Sequence, residues 1–190
     1  MQENAIIEID ESWSLFLDRD GVINKEEAGT YVLSYDEFEF LPGVVEAMER
    51  FNKLFKNIFI VTNQQCVGKG LLERNVLESM HASMQSDIEK HGGRLDAIYY
   101  CPDLAIENPP NRKPEIGMAL QAQNEFPSVD FTKSIMVGNY ITDMEFGRNA
   151  GMHTVLVEEK ERVNEQNIKH IDHYYDSLFR LSQNVQIKSL

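Results

Sequence analysis

The chain alternates between short apolar runs and longer amphipathic stretches. Five apolar runs bounded by polar residues predict buried strands at 13–17, 58–61, 98–100, 134–137 and 154–157. Strands that alternate with helical stretches at this spacing build a mostly parallel sheet with helices on both faces. The pattern therefore predicts an α/β fold, in the form of a three-layer, doubly wound parallel sheet.

The amphipathic stretches predict the helices between these strands. A first helix opens at Pro42–Gly43, where apolar residues return at the spacing of one buried face. A second helix runs from about Leu72 to His91, and Gly92–Gly93 ends it in the way that helix C-termini favour. The predicted buried residues are Val44, Met48, Phe51 and Phe55 in the first helix, and Val76, Met80, Met84 and Ile88 in the second.

Local signals predict where the later helices begin. Pro114 follows a polar loop and suits the first position of a helix. The stretch from Thr142 to Glu145 is typical of a capping box, and the helix that it opens is predicted to stop at Gly151. A last helix is predicted at about 176–181.

Polar side chains follow the apolar runs, at the points where the predicted strands end. Because ligands of parallel α/β sheets bind beyond the carboxyl ends of the strands, residues at these points are candidates for a site. They combine acids, a hydroxyl, amides and a lysine. In chain order they are Asp18, Asp20, Thr62, Asn63, Lys113, Asn139 and Asp143.

Asp18 and Asp20 end the first strand. Residues two apart in an extended chain point the same way, so these carboxylates share one face and repel each other. A cation between them, or a proton on one of them, relieves the repulsion, and carboxylate with water suits Mg²⁺. The same pair can divide labour between nucleophile and proton donor. Two solvated aspartates at a polar strand exit explain this motif equally well.

Acids for a metal, together with donors for an anion, describe phosphoryl transfer, in which catalysis is mostly positioning and electrostatics. Asp18 is held rigidly by the strand and is the better nucleophile, whereas Asp20 can protonate the leaving oxygen and later activate water. Lys113 and Thr62 can hold phosphate oxygens. The sequence has no GxxxxGK[ST] loop, which argues against an ordinary nucleotide kinase.

The charge balance narrows the range of partners. With 31 acidic and 18 basic residues, the formal net charge is -13, which disfavours unspecific binding to nucleic acid or to an anionic membrane. Two cysteines make no disulfide framework, and no signal peptide or membrane-spanning stretch is evident. These features favour a cytoplasmic location. A monomer is the default expectation, and the strand-end residues favour a small phosphorylated metabolite as the partner.

Four segments of the sequence resemble the motifs of the haloacid dehalogenase-like (HAD) phosphatases. Their order and spacing match over residues 13–158, and the resemblance is to the branch of heptose bisphosphate phosphatases and histidinol-phosphatases. The segments are Leu15–Asn24 for motif I, Val61–Gln64 for motif II, Arg112–Pro114 for motif III and Val137–Met144 for motif IV.

The resemblance implies a Rossmann-like HAD fold with no large cap, as a single domain over residues 1–190. Residues 1–12 would be an N-terminal extension, 25–41 a flap-like loop and 102–112 a shortened loop. The implied activity is that of a Mg²⁺-dependent phosphomonoesterase, with an aspartyl-phosphate on Asp18 and with Asp20 as acid and base. The implied substrate is a heptose bisphosphate, or alternatively histidinol phosphate.

The same resemblance implies which residues hold the ligands. Thr62, Asn63 and Lys113 would hold the transferring phosphoryl group. Arg112 would reach the rest of the substrate. The implied metal ligands come from Asp18, the main chain of Asp20 and motif IV, which offers Asn139 and Asp143.

Motif IV departs from the family pattern at two adjacent positions. Asn139 stands where aspartate is usual, and Tyr140 stands where the branch often has lysine. An amide oxygen can coordinate Mg²⁺ but lacks the charge, so Mg²⁺ should bind more weakly unless Asp143 compensates. A weakly active or inactive phosphate-binding protein on the same fold is therefore a rival hypothesis.

The cysteines mark two further departures. The branch often carries a zinc loop before motif III, but after Cys101 the 102–112 loop contains no second cysteine and no histidine. A lone cysteine makes no tetrahedral zinc site, so we expect no zinc and interpret Cys101 as a packed thiol. Cys66 stands where glycine is common and is interpreted as a tolerated substitution.

Two remaining features carry weaker expectations. The histidines are scattered, and nothing in the sequence places them near the two aspartates, so we expect all of them to be non-catalytic. They are His81, His91, His153, His170 and His173. A nucleic-acid end phosphatase is the weakest rival hypothesis, because the sequence has no basic stripe.

Overall fold

The computed structural model describes residues 1–26, 29–157 and 163–188. The strands in these ranges are β1 (Gln2–Glu3), β2 (Ile7–Ile9), β3 (Ser14–Leu17), β4 (Asn57–Asn63), β5 (Ala97–Cys101), β6 (Ser134–Gly138), β7 (His153–Val157), β8 (His173–Tyr175) and β9 (Val185–Ile187). The helices are α1 (Val44–Asn52), α2 (Arg74–Lys90), α3 (Gly117–Glu125), α4 (Ile141–Ala150) and α5 (Leu178–Asn184). All five predicted strands form, each within a residue or two of its predicted ends.

The main sheet is parallel throughout, in the strand order β1-β8-β7-β6-β3-β4-β5. From the central strand β3 the chain runs outward through β4 and β5, and then returns to β6 on the other side of β3. The strand order therefore reverses between β3 and β6, which is where open α/β sheets leave a crevice for ligands. The predicted doubly wound parallel sheet is confirmed.

Alternate residues of the strands fill two cores, one on each face of the sheet. In β3, Leu15 and Leu17 pack in the core formed with α1, α2 and α5, whereas Phe16 packs in the core formed with α3 and α4. Because both faces are covered, the strands are apolar at consecutive positions rather than at every second one. This burial fixes the strands rigidly and leaves only their ends for chemistry.

The buried face of α2 differs by one residue from the prediction. Val76 is 40% exposed, and Leu77 is buried in its place. Successive residues lie about 100° apart around a helix, so a shift of one position moves a side chain from the core to solvent. The other predicted core residues of α1 and α2 are buried, namely Val44, Met48, Phe51, Phe55, Met80, Met84 and Ile88.

Two predicted helix starts need correction. Pro114 is not the first residue of α3, which begins at Gly117; instead, Pro114 follows a cis peptide bond in the preceding turn. The capping box does not start at Thr142. The carboxylate of Asp143 caps α4 by accepting the main-chain N–H of Tyr140 at 3.0 Å. The stop at Gly151 is confirmed, and this glycine has φ 86°.

Residues 1–12 extend both sheets. β1 pairs with β8 at the edge of the main sheet, and β2 pairs with β9 in a separate two-stranded parallel sheet. The 25–41 loop includes positions 27 and 28, which lie outside the described residues, and its Phe38 is buried in the core. The predicted division into one domain with these loops stays a prediction. Across the described ranges, no helix combines the length and apolar character needed to cross a membrane.

Candidate active site

A pocket of about 320 Å³ opens at the carboxyl ends of the central strands. β3 delivers Asp18 and Asp20, and β4 ends in Thr62 and Asn63. The remaining walls come from the loops after β3, β5 and β6 and from the first turn of α4. They include Glu26, Tyr31, Arg112, Lys113, Tyr140 and Asp143. Seven of the eight residues predicted for the site line this one pocket; the eighth, Asn139, lies next to Tyr140 at the end of β6.

Lys113 joins two buried carboxylates at the floor of the pocket. Its Nζ lies 2.8 Å from Asp18 Oδ1 and 2.7 Å from Asp143 Oδ1. Burial raises the pKa of Asp18, and Lys113 opposes that shift. For Lys113 itself, burial disfavours the charge, but the attraction of Asp143 and Asp18 outweighs it and raises the pKa. Lys113 is therefore a fixed positive charge beside the Asp18 oxygen.

Asn63 holds the main chain of Lys113 in place. Its Oδ1 accepts the Lys113 N–H at 3.0 Å, and its Nδ2 donates to the Lys113 carbonyl at 3.2 Å. The neighbouring Thr62 hydroxyl accepts a hydrogen bond from Gln64 Nε2 at 2.9 Å, so its own hydrogen can be donated to a ligand. Asn63 thus fixes the main chain from which the Lys113 side chain extends, in addition to lining the pocket.

Asp20 is held as a carboxylate by donors on both of its oxygens. Oδ1 accepts from Arg19 Nη2 at 2.7 Å and from Asn24 Nδ2 at 2.9 Å, while Oδ2 accepts from Gln64 Nε2 at 2.7 Å. Burial works against the charge, but Arg19 and the other donors hold the pKa of Asp20 below its usual value. Because 27% of its side chain is exposed, Asp20 can exchange protons with the pocket.

Behind Asp20, a buried pair fixes the guanidinium of Arg19. Arg19 is 1% exposed, and its Nη1 lies 3.1 Å from Nε2 of His81 on α2. Since an arginine can only donate, His81 must be neutral with Nε2 as the acceptor. Nothing in the sequence placed His81 near the aspartates. In the structure Arg19 contacts both His81 and Asp20, so His81 lies directly behind the Arg19–Asp20 pair.

We expect His81 to make the fold sensitive to mild acid. Burial first, and the charge of Arg19 second, lower the pKa of His81 from 6.5 to about 3. As the pH falls below about 6.5, the unfolded chain gains a proton that the folded chain does not. The free energy of unfolding should therefore fall by about 1.4 kcal/mol for each pH unit through this residue.

Urea unfolding of the wild type and His81→Gln at about pH 7, 6 and 5 measures this contribution. Glutamine keeps an acceptor for Arg19 but does not titrate, so the stability of His81→Gln should decline less steeply with acid. Parallel pH profiles for the two proteins would show that His81 is not buried in its neutral form.

Asn139 packs against a glycine that must lack a side chain. Gly21 has φ +78°, and a Cβ atom there would lie 2.0 Å from Asn139 Nδ2. The Asn139 amide nitrogen donates to Glu26 Oε2 at 3.2 Å. Asp143, by contrast, already binds Lys113 through Oδ1 and the Tyr140 N–H through Oδ2. Glu26 thus brings a carboxylate into contact with Asn139.

The oxygen donors at the ends of β3 and β6 are of the type that suits a hard divalent cation. Asp18, the Asp20 main chain and the Asn139 side chain all offer oxygen, which is the ligand atom that Mg²⁺ prefers. Among residues 1–26, 29–157 and 163–188, no cluster of three or more His, Cys, Asp or Glu side chains is placed to hold a metal ion. An Mg²⁺ site here would thus rely on an amide and a main-chain oxygen alongside its carboxylate.

Arg112 supplies a second basic group on the pocket wall. It is half-buried, and its Nη1 is a buried donor without a hydrogen-bond partner among the residues that the structure describes. An unsatisfied buried donor costs free energy, so an anionic group that reached it would be stabilised. Together with Arg19, which pairs with Asp20, Lys113 and Arg112 give the pocket three basic side chains in a protein whose net charge is -13.

Comparisons with known proteins point the same way. A family model described as HAD-hydrolase-like matches residues 110–181. D-glycero-alpha-D-manno-heptose-1,7-bisphosphate 7-phosphatase from Campylobacter jejuni is 36% identical over 149 residues, which cover 78% of this chain and 84% of that protein. D-glycero-beta-D-manno-heptose-1,7-bisphosphate 7-phosphatase from Photorhabdus laumondii is 37% identical over 159 residues, covering 80% and 83%. The chain belongs to the HAD-like phosphatases.

A solved structure supports the same membership. The D,D-heptose 1,7-bisphosphate phosphatase from B. bronchiseptica, determined in complex with magnesium and phosphate, aligns with a TM-score of 0.79 at 26% identity. The alignment covers 90% of this HAD-like phosphatase and 96% of that chain. The predicted family and fold are therefore confirmed over nearly the whole length.

The sequence did not point to several residues around the two catalytic candidates of this HAD-like phosphatase. Arg19 stands between two aspartates, and strand alternation could have placed it on the opposite, buried side. Gln64 and Asn24 lie inside the matched motifs but carried no assigned role. No sequence pattern marked Glu26 as a site residue, because only the folded loop after β3 brings it into contact with Asn139.

The two thiols of the phosphatase are buried and unpaired. Burial raises the pKa of both Cys66 and Cys101, which keeps them protonated and poorly reactive. Cys101 is thus a packed thiol, as predicted. The expected absence of zinc stays a prediction.

Proposed function

We propose that this phosphatase hydrolyses a sugar phosphate through an aspartyl-phosphate on Asp18, with Mg²⁺. We propose further that its substrate is a D-glycero-D-manno-heptose 1,7-bisphosphate, from which it removes the 7-phosphate. The observation that carries the proposal is the Asp18–Lys113–Asp143 cluster. It lies where the strand order reverses between β3 and β6, inside a pocket of about 320 Å³. The curated relatives reported above are named as 7-phosphatases of this sugar.

Asp18 has the position that a nucleophile needs. It ends a buried strand whose main chain is hydrogen-bonded on both sides, and its N–H donates to Val137 at 2.9 Å. An Asp18 oxygen attacks phosphorus and the bond from phosphorus to the sugar oxygen breaks, which leaves the phosphoryl group on Asp18. Rigid placement matters because reacting atoms must approach to about 3–3.5 Å in line.

Asp20 supplies and removes the protons of both half-reactions. An arriving phosphate dianion raises the pKa of a nearby carboxyl, which favours proton uptake by Asp20. The protonated acid then gives its proton to the departing sugar oxygen. The resulting carboxylate takes a proton from the water that attacks the aspartyl-phosphate, and this step restores Asp18. Arg19 holds Asp20 in position through both steps.

Charge in the pocket explains why a divalent cation fits this reaction. The ionisable side chains that line the pocket are four carboxyl groups and three basic groups, namely Asp18, Asp20, Glu26 and Asp143 against Arg19, Arg112 and Lys113. This excess of carboxyl groups disfavours a phosphate dianion. Bound Mg²⁺ would reverse that balance and neutralise charge on the phosphoryl oxygens. Asp18, the Asp20 main chain and Asn139 would hold it. Lys113 and Thr62 would then hold the oxygens of the transferring group.

A substrate comparison tests the proposal. The full-length protein is assayed with the α and β anomers of the heptose 1,7-bisphosphate and with histidinol phosphate, each with and without Mg²⁺. Because Arg112 would otherwise be left as an unpaired donor, we expect a bisphosphate to be preferred over histidinol phosphate by about tenfold or more in kcat/KM. Both anomers are needed because the relatives are named for one or the other.

Two results would contradict the proposal. Equal turnover with and without Mg²⁺ would remove the metal from the reaction, and a preference for histidinol phosphate would reassign the substrate. Binding of phosphate without turnover of any of these esters would favour the rival hypothesis of an inactive phosphate-binding protein, which the neutral Asn139 motivates.

A further inference from the structure

The two departures of motif IV meet at one carboxylate. Asn139 donates to Glu26 Oε2 at 3.2 Å, and the hydroxyl of its neighbour Tyr140 donates to Glu26 Oε1 at 2.9 Å. Glu26 belongs to the loop after β3, far from motif IV in sequence, and lines the same pocket as Asp18. Both of its oxygens are therefore bound by the residues that distinguish this motif IV.

Asp143 is not placed to replace the missing charge. Its Oδ1 binds Lys113 Nζ at 2.7 Å and its Oδ2 binds the Tyr140 N–H at 3.0 Å, so it serves the lysine and the start of α4. If Asp143 moved to bind a metal, both its ion pair with Lys113 and its capping hydrogen bond at the start of α4 would be lost. Glu26 instead contacts Asn139 and Tyr140, and its side chain is exposed at the pocket.

We propose that Glu26 completes the Mg²⁺ site from the second shell, by holding Asn139 and by supplying the negative charge that an aspartate at 139 would have carried. The inference rests on the proposed function, since it assigns a part of the same site. It names a metal-affinity residue outside the four matched motifs.

The contact with Asn139 acts on the orientation of a ligand. A side-chain amide has one donor end and one acceptor end. Glu26 binds the donor end, and this fixes which way the amide faces and draws electron density toward its oxygen. Carboxylates that orient metal ligands in this way raise metal affinity by about 10–100-fold.

The contact with Tyr140 holds Glu26 itself. A glutamate on a surface loop samples many rotamers, and ordering it costs conformational entropy. The Tyr140 hydroxyl binds the second carboxylate oxygen and thereby opposes rotation of the carboxylate away from Asn139. A lysine at 140 would neutralise Glu26, whereas tyrosine orients it and leaves its charge in place. Asparagine at 139 and tyrosine at 140 therefore act on the same carboxylate, which the tyrosine orients toward the asparagine.

Mg²⁺ titration of the metal-free, full-length protein by isothermal calorimetry tests the inference without relying on activity. Glu26→Gln should weaken Mg²⁺ binding about tenfold or more. Tyr140→Phe, which keeps every charge, should weaken it by a smaller factor. Glu39→Gln is the matched control, because Glu39 lies on the same loop, outside the pocket lining, and pairs with Lys25. It should change the dissociation constant less than twofold.

Asn139→Asp completes a double-mutant cycle. Aspartate at 139 should strengthen Mg²⁺ binding, and Glu26→Gln in that background should cost less than it does in the wild type. Equal affinity of the wild type and Glu26→Gln, or equal losses in both backgrounds, would overturn the role of Glu26. Absence of Mg²⁺ binding by the wild type would overturn the proposed function and the inference together, so the two failures are distinguishable.

Discussion

Replacing Asp18 with asparagine is expected to abolish phosphatase turnover, with a fall in kcat on the order of 10³-fold or more. The amide nearly matches the carboxylate in shape but cannot form the acyl phosphate, so the covalent intermediate cannot form. Steady-state release of phosphate from the preferred sugar phosphate measures the loss, and circular dichroism confirms that the variant folds. Undiminished activity of Asp18→Asn would remove Asp18 as the nucleophile.

Asp20→Asn separates the two half-reactions and serves as the partner experiment. A leaving group such as p-nitrophenolate needs little protonation, so this variant should still transfer the phosphoryl group to Asp18. Hydrolysis of the aspartyl-phosphate needs the base at position 20 and should be slow. We expect a burst of about one nitrophenolate per protein molecule followed by a slow phase. Asp18→Asn should show no burst. A burst from Asp18→Asn, or steady fast turnover by Asp20→Asn, would contradict these roles.

Replacing Lys113 with methionine is expected to destabilise the fold by about 3–5 kcal/mol. Methionine keeps the length of the side chain, but the change leaves Asp18 and Asp143 buried without their shared cation. Urea unfolding in the absence of Mg²⁺ measures the effect. The loss should be larger at about pH 8 than at about pH 6, because a stranded buried carboxylate has a raised pKa and can take up a proton at the lower pH.

Lys53→Met is the matched control for that measurement. Lys53 pairs with Glu49 at 2.7 Å, almost the same distance as the buried pairs, but 68% of its side chain is exposed. Exposed ion pairs contribute between zero and about 1 kcal/mol, so the same substitution should have a small effect here. Similar losses for the two variants would show that the Lys113 cluster is not the buried ion pair described above.

The sequence predicted the sheet well because burial on both faces leaves a simple signal. Five apolar runs became strands at their predicted places, and the polar residues after them came together at the strand ends. Asp18, Thr62 and Lys113 could be assigned to one site before any coordinates, since parallel strands must present their carboxyl ends at a common edge. The roles of these residues remain proposals.

The predictions that failed concern three-dimensional geometry, which a local sequence pattern does not specify. Val76 and Leu77 are both apolar, and only the phase of α2 decides which of them faces the core. Pro114 fitted a helix start, but the Asn63 amide fixes the preceding main chain in a turn instead. The partner of Asn139 lies on a loop whose path depends on the whole fold. Glu26 could therefore not be paired with Asn139 from the sequence.

The reversal of strand order beside β3 means that the proposed site forms only when early and late parts of the chain have folded together. Asp18, the proposed nucleophile, is made early during synthesis, whereas Lys113 and Asp143 are made only after more than half of the polypeptide. In a nascent or half-folded chain, Asp18 is therefore present without the lysine that is proposed to hold the phosphate. Enzymatic rate in a sample of this protein should accordingly report the fraction of molecules whose central sheet is fully assembled.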